Sequence, residues 1–168
     1  MTRAGDFDDP ATWIDRRLSL GELQPLLFRP ETEVTMSTVT ALDDEYATLW
    51  YHPDGKIVHH EIHKFLVPGA LEKLLSAGAS LMETHGAQKW LSDDRKNVVI
   101  SKQDLEWAEV HWIPRVQKAG FRYWAIVVPG HAVAALQMRA LQAKRRTQGI
   151  EVATFETVEE GMAWLRSR

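Results

Sequence analysis

The segment that most constrains the fold lies between Lys89 and Pro129, where two β-rich runs flank a helical pattern. Residues 88–92 and 122–128 favour strands, and the second run is the most apolar and lacks clean alternation, as expected of a central strand covered on both faces. Between them, Ser101 and Asp104 have the spacing of a capping box, which predicts the start of a helix. Strands that alternate with helices require a sheet covered by helices. The segment therefore predicts an α/β fold.

The rest of the chain extends this alternation. A hairpin is predicted over residues 46–65, because the turn residues Pro53-Asp54-Gly55-Lys56 separate two β-rich runs. The other predicted elements are helices over residues 71–85, 130–148 and 157–165, and a strand over residues 150–155. The predicted order is β-β-α-β-α-β-α-β-α. It gives a five-stranded mixed sheet with an antiparallel N-terminal hairpin and helices packed on it.

The helix that follows the capping box carries a break in its pattern. Its predicted buried face consists of Leu105, Ala108, Trp112 and Val116. Pro114 lies inside that pattern and lacks a backbone donor, so the helix should kink or restart there. Later in the chain, the basic run of residues 144–146 is expected to be a solvated helix end, where cations favour the negative end of the helix dipole.

Composition divides the chain in two and excludes several classes of protein. The net charge of −3 lies within residues 1–35, so residues 36–168 are neutral overall. We expect residues 1–35 to be a partly ordered arm or a non-native extension upstream of Met36, and residues 36–168 to be the α/β domain. The acidic balance argues against a nucleic-acid-binding protein. Without cysteine there can be no disulfide or thiolate metal site. No membrane span or secretory signal is visible, and a cytoplasmic location is expected.

Several local motifs carry a resemblance to a known group. They are Lys89-Trp90-Leu91 with Asp93, Trp107 with Trp112-Ile113-Pro114-Arg115, Gly120, Ala125-Ile126-Val127-Val128-Pro129 and Met162-Ala163-Trp164-Leu165. These motifs and the element order resemble the STAS-like proteins related to bacterial anti-sigma-factor antagonists, especially the STAS/SEC14-type members, over residues 44–166. The resemblance implies a non-enzymatic regulatory or binding domain without a cofactor.

In the antagonists that this chain resembles, a serine in an Asp-Ser-x-Gly motif at the start of a helix is phosphorylated. Ser101 falls at that position, which makes it the candidate phosphorylation site by resemblance. The Asp and Gly of the motif are replaced here by Ile100 and Gln103. From the residues alone, a plain helix cap formed with Asp104 explains Ser101 equally.

Further candidate site residues follow the buried strands. Asp93, Asp94 and Arg95 come just after a strand, where ligands bind in open α/β sheets, and His131 follows the neighbouring strand. Paired carboxylates could bind a divalent cation or share a proton. The alternative is a solvated loop that contains an Asp–Arg pair.

Two residues on the helix after Ser101 complete the predicted binding site. Trp107 lies off the buried row and is expected to be exposed, where it could contact a partner. Arg115 could hold an acidic ligand, or it could instead form a salt bridge with Glu106 or Glu109.

One strand carries an alternating polar pattern. His59, Glu61 and His63 should share one face, where they could hold zinc or form the outer face of an edge strand. His60 should face inward as a hydrogen-bonded core residue, and the tryptophans at 50, 90, 107, 112 and 124 should form core, a pocket or an interface.

Three functions remain open at this point. A module that binds a protein partner, or a second copy of itself as a homodimer, should expose apolar residues near Ser101. A small-apolar-ligand or lipid binder should contain a closed apolar cavity. A metal-dependent enzyme at Asp93, Asp94 and His131 should show converging polar groups with perturbed pKa values. The sequence contains no nucleophile–base pair, phosphate loop or dinucleotide fingerprint. Together with the STAS-like resemblance, this favours the first function.

Overall fold

The computed structural model describes residues 37–96, 100–128 and 141–168, and it has an α/β architecture with one mixed sheet. The strands are β1 (Val39–Asp43), β2 (Ala47–His52), β3 (Ile57–Ile62), β4 (Lys89–Asp93), β5 (Tyr123–Val127) and β6 (Glu151–Phe155). They lie side by side in chain order. The pairs β1–β2 and β2–β3 are antiparallel, and the three later pairs are parallel. The predicted hairpin and mixed sheet are thus confirmed.

The predicted number of five strands is wrong, because β1 adds a sixth at the edge of the sheet. Most residues of β1 are exposed, and its register against β2 shifts between Thr40 and Leu42. A short, exposed and bulged edge strand has no alternation of buried and exposed residues. Its sequence therefore lacks the pattern by which the other strands were predicted.

Four helices and one π-helical turn are described between and after the strands. They are α1 (Ala70–His85), α2 (Lys102–Trp107), the π-helical turn (Ala108–Trp112), α3 (Ile113–Lys118) and α4 (Val158–Arg166). Residues 141–147 form a further helical segment, which belongs to the helix predicted over residues 130–148. Residues 130–140 of that predicted helix lie outside the described residues, and so does the predicted N-terminal arm of residues 1–35. Among these residues, no helix is both long and apolar enough to cross a membrane.

The two faces of the sheet carry separate cores. On the α1 face, Val58 and Trp90 pack against Leu74 and Met82 of α1 and against Trp112. The opposite α4 face packs Ile57, Leu91 and Val127 against Met162 and Leu165. Alternate residues of β3 and β4 thus serve different cores, as the two-residue period of a strand requires.

Aromatic rings fill the centre of the α1 face. Trp112 makes edge-to-face contacts with Trp90, Trp124 and Phe121 at ring-centroid distances of 5.2, 5.6 and 5.8 Å. Trp90 and Trp112 are buried. These two tryptophans are therefore core residues.

The π-helical turn changes which residues of the 101–118 segment are buried. The backbone N–H of Ile113 donates to the carbonyl of Ala108, five residues earlier, where an α-helix would use the fourth. The extra residue rotates α2 relative to α3. Leu105 is consequently 49% exposed, which contradicts its predicted burial, while Trp112 and Val116 are buried as expected. Pro114 lies at the start of α3, so the predicted restart is confirmed.

Candidate functional site

The adjacent residues Asp93 and Asp94 point to opposite faces of the sheet. Asp93 is 3% exposed, and its carboxylate accepts hydrogen bonds from Nε and Nη2 of Arg95 at 2.8 and 2.6 Å. Burial alone would raise the pKa of Asp93, but the bonds from Arg95 outweigh burial and hold the pKa below its usual value. Asp93 and Arg95 thus form an Asp–Arg pair, as in the alternative prediction, but the burial of Asp93 contradicts the solvated loop in which that prediction placed the pair.

Asp94 belongs to a hydrogen-bonded chain on the α1 face. The indole N–H of Trp90 donates to Nδ1 of His60 at 3.1 Å, and Nε2 of His60 lies 3.1 Å from a carboxylate oxygen of Asp94. This pattern assigns His60 the tautomer with its proton on Nε2. His60 is buried, so its prediction as a hydrogen-bonded core residue is confirmed. These two hydrogen bonds anchor the loop after β4 to the core.

A cation or proton shared by Asp93 and Asp94 is incompatible with this arrangement, because each carboxylate has its own partner on its own face. His131 lies outside the described residues, so its predicted part in this site does too. Within the three described ranges, no group of three or more histidine, aspartate or glutamate side chains has the geometry to hold a metal ion.

Arg115 ties α3 to α1. Its guanidinium binds both carboxylate oxygens of Glu83 at 2.9 and 2.7 Å and the hydroxyl of Ser80 at 2.9 Å. The predicted partners Glu106 and Glu109 are wrong, because Glu83 approaches from the neighbouring helix. A guanidinium already occupied by a carboxylate is poorly placed to hold an acidic ligand.

Glu109 forms its ion pair with Arg145. Arg145 is only 3% exposed, so the prediction that the basic run of residues 144–146 is solvated is wrong for this residue. Arg145 also donates to the side chain of Gln148 at 2.7 Å, and its guanidinium lies 6.0 Å from the ring centroid of Trp124. Its hydrogen bonds lower the pKa of Glu109. The sequence Lys144-Arg145-Arg146 alone does not indicate which of the three basic residues is buried.

The alternating polar residues of β3 have separate partners. His59 contacts the ring of His52, Glu61 pairs with Lys96 at 2.8 Å, and Nε2 of His63 lies 3.0 Å from the hydroxyl of Thr48. Strand β3 lies inside the sheet, between β2 and β4, so the expected edge strand is wrong. A shared zinc ion is not supported, because the three side chains do not converge.

His59 should make the protein sensitive to mild acid. It is 8% exposed, and burial, reinforced by neighbouring His60 and His52, lowers its pKa from 6.5 to about 3. Between these values the unfolded chain binds more protons, so the free energy of unfolding falls as pH decreases. We expect a loss of about 2 kcal/mol between about pH 7 and pH 5. Urea unfolding at several pH values measures it.

The variant His59→Phe should reduce this pH dependence, because it removes a buried histidine whose pKa is strongly lowered. The matched control is His85→Phe, since the exposed His85 already stacks on an aromatic ring and should tolerate another. An unchanged pH profile in His59→Phe would show that His59 is not the group responsible.

Ser101 caps α2 as predicted, but only one of the two bonds of a capping box is present, because the Asp104 carboxylate accepts from the Ser101 hydroxyl and not from its backbone N–H. Its hydroxyl accepts the backbone N–H of Asp104 at 3.0 Å and donates to the Asp104 carboxylate at 2.7 Å. These bonds satisfy a free amide at the start of α2 and fix both side chains. The helix start that they define forms one wall of an open cleft.

The Ser101 cleft lies between the loop after β3 and helix α2, and its volume is about 230 Å³. Its apolar lining is formed by Phe65, Leu66, Pro68 and Trp107, and its polar lining by Glu72, Ser101, Gln103 and Asp104. Phe65 is 64% exposed. Trp107 was predicted to be exposed, but it is half-buried because it packs partly against the core. The cleft therefore offers an exposed aromatic ring beside a second one that is held in place.

The cleft brings together only part of the predicted site. Ser101 and Trp107 line it, whereas Asp93, Asp94, Arg95 and Arg115 do not. Phe65 was not predicted, because its strand was expected to include it and in fact ends at Ile62. The apolar run Phe65-Leu66-Val67 next to Pro68-Gly69, at the carboxyl end of a strand, was the signal that could have indicated it.

Comparison of the chain with protein-family models, with curated proteins and with solved structures gave no significant match.

Proposed function

We propose that this protein is a non-enzymatic, STAS-like binding domain that holds an apolar side chain of a protein partner in the Ser101 cleft. The observation that carries the proposal is the exposed ring of Phe65 on the wall of an open cleft whose lining continues to Trp107. Clustered exposed apolar surface, especially where aromatic side chains meet, is characteristic of protein–protein contact sites.

The dimensions of the cleft favour a protein side chain over a small ligand. Sites for small molecules usually have volumes of roughly 300–1,000 Å³ and enclose most of the ligand. The Ser101 cleft is smaller, at about 230 Å³, and is open to solvent. A lipid-binding function would call for a closed apolar cavity, so the lipid alternative receives less support.

The polar groups of the cleft favour binding over catalysis. The hydroxyl of Ser101 is committed to the cap with Asp104. Among the described residues that line the cleft, none is a histidine, lysine or arginine that could act as its base. The position of Ser101 at a helix start also fits the STAS-like resemblance. Phosphorylation of Ser101 remains a prediction of that resemblance.

The proposal is tested by selecting binders from a random-peptide phage library on the immobilised full-length chain. Selected peptides should bind Phe65→Ser at least roughly 30-fold more weakly than the original chain, because a central aromatic contact contributes about 2 kcal/mol or more. Fluorescence anisotropy with labelled peptides measures the affinities.

The matched control is Val39→Ser, because Val39 is also an exposed apolar residue but lies on β1, outside the cleft lining. Its affinity for the peptides should equal that of the original chain. Peptides that bind Phe65→Ser and the original chain equally would contradict the proposed site.

A further inference from the structure

We infer that the partner segment is basic as well as apolar: a large apolar side chain for the cleft wall, with a lysine or arginine beside it. This inference rests on the proposed function and specifies the class of partner. It follows from the charges that line the Ser101 cleft and from the way in which the neighbouring lysines are used.

The lining of the cleft is acidic. Glu72 lies in the first turn of α1, and Asp104 lies in the first turn of α2. Both line the same cleft as Phe65 and Trp107, and within the described ranges no basic residue lines it with them. A bound segment would therefore meet an apolar wall and two carboxylates within one small volume.

The lysines near the cleft in sequence are paired with other acids. Lys64 contacts Glu45 at 2.7 Å, Lys73 contacts Asp44 at 2.8 Å, and Lys102 contacts Glu106 at 3.6 Å. In the part of the chain that the structure describes, Glu72 and Asp104 have no direct ion pair. A lysine or arginine of the partner would form an ion pair with one of these two carboxylates.

The same charges disfavour acidic partners. A phosphorylated peptide or a nucleic acid would place negative groups beside Glu72 and Asp104, and like charges at a contact reduce binding. Residues 36–168 are neutral overall, so the preference is local. It should consequently weaken as salt shortens the range of the charges.

The test compares two baits in the same random-peptide selection: the original full-length chain and the double variant Glu72→Gln/Asp104→Asn. Both replacements keep the side-chain size, and Asn can still accept the Ser101 hydroxyl at the helix cap. The original chain should enrich Lys or Arg next to an apolar position, and the double variant should not. Peptides selected on the original chain should bind the double variant roughly tenfold more weakly.

The matched control is Glu160→Gln on α4, which removes an exposed carboxylate that does not line the cleft. It should retain the basic preference and the affinity. Thermal unfolding checks that the double variant is folded. If the cap does not tolerate Asn, Glu72→Gln alone tests the inference, since Glu72 makes no part of that cap.

The outcomes separate this inference from the proposed function. Selected peptides that need Phe65 but show no Lys or Arg preference, or that bind the double variant as tightly as the original chain, overturn the charge inference and leave the proposed function intact. Enrichment of acidic peptides also overturns it. Binding that is insensitive to Phe65→Ser overturns both.

Discussion

Replacing Gly78 by alanine should lower the free energy of unfolding by roughly 2 kcal/mol. A Cβ atom at this position of α1 would lie 2.1 Å from Cη2 and 2.6 Å from Cζ3 of Trp90. Trp90 is fully buried among other aromatic rings and cannot move aside. At an exposed position of a helix, Gly→Ala would raise the free energy of unfolding by about 1 kcal/mol. A decrease in the free energy of unfolding on Gly78→Ala would therefore indicate the close packing of α1 against Trp90.

Urea unfolding of four variants, Gly78→Ala, Gly161→Ala, Trp90→Phe and Gly78→Ala/Trp90→Phe, tests the prediction. Gly161→Ala is the matched control, because Gly161 also lies in a helix but would meet the terminal methyl of Leu91 at 3.0 Å, which can shift. The cost of Gly78→Ala should shrink in a Trp90→Phe background, where the smaller ring leaves room. A Gly78→Ala protein as stable as the original would contradict the close approach of α1 to the sheet.

Removing the carboxylate of Glu109 should cost about 3 kcal/mol of stability, because it leaves the guanidinium of Arg145 buried without its anionic partner. Arg145 keeps its bond to Gln148, which cannot neutralise the charge. The variant is Glu109→Ala, and chemical denaturation gives the change in the free energy of unfolding.

Glu106→Ala is the control for this second prediction. Glu106 lies on the same helical segment and pairs with exposed Lys102 at 3.6 Å, so its loss should change stability by less than about 1 kcal/mol. The double variant Glu109→Ala/Arg145→Met should be more stable than Glu109→Ala alone, because it also removes the buried charge. Equal effects of Glu109→Ala and Glu106→Ala would mean that Arg145 does not depend on its partner.

Local sequence signals predicted most of the sheet and the helix boundaries. The hairpin of β2 and β3, the cap formed by Ser101 and Asp104, and the stop of α1 at Gly86, whose φ is 61°, follow from short-range chemistry and were predicted correctly. The π-helical turn was not predictable in this way. Its effect on Leu105 depends on how the segment packs around Trp112, which is a tertiary contact.

Candidate site residues were harder to predict, because their partners come from distant parts of the chain. The two-residue period of a strand could have predicted that Asp93 and Asp94 point to opposite faces of the sheet, because adjacent residues of a strand alternate between its faces. The burial of Arg145 against Glu109, and the contact of Arg115 with Glu83, depend on helix–helix packing. Periodicity within one element carries no information about such contacts.

Hydrogen–deuterium exchange of the full-length chain can show whether a partner binds in the proposed Ser101 cleft. The probe is a peptide selected on the original chain, and exchange is compared with and without it. We expect slower exchange in residues 64–73 and 101–107, which contain the two walls of the cleft. A bound peptide that slows exchange only in α4 or β6, and leaves both of these segments unchanged, would contradict binding in this cleft.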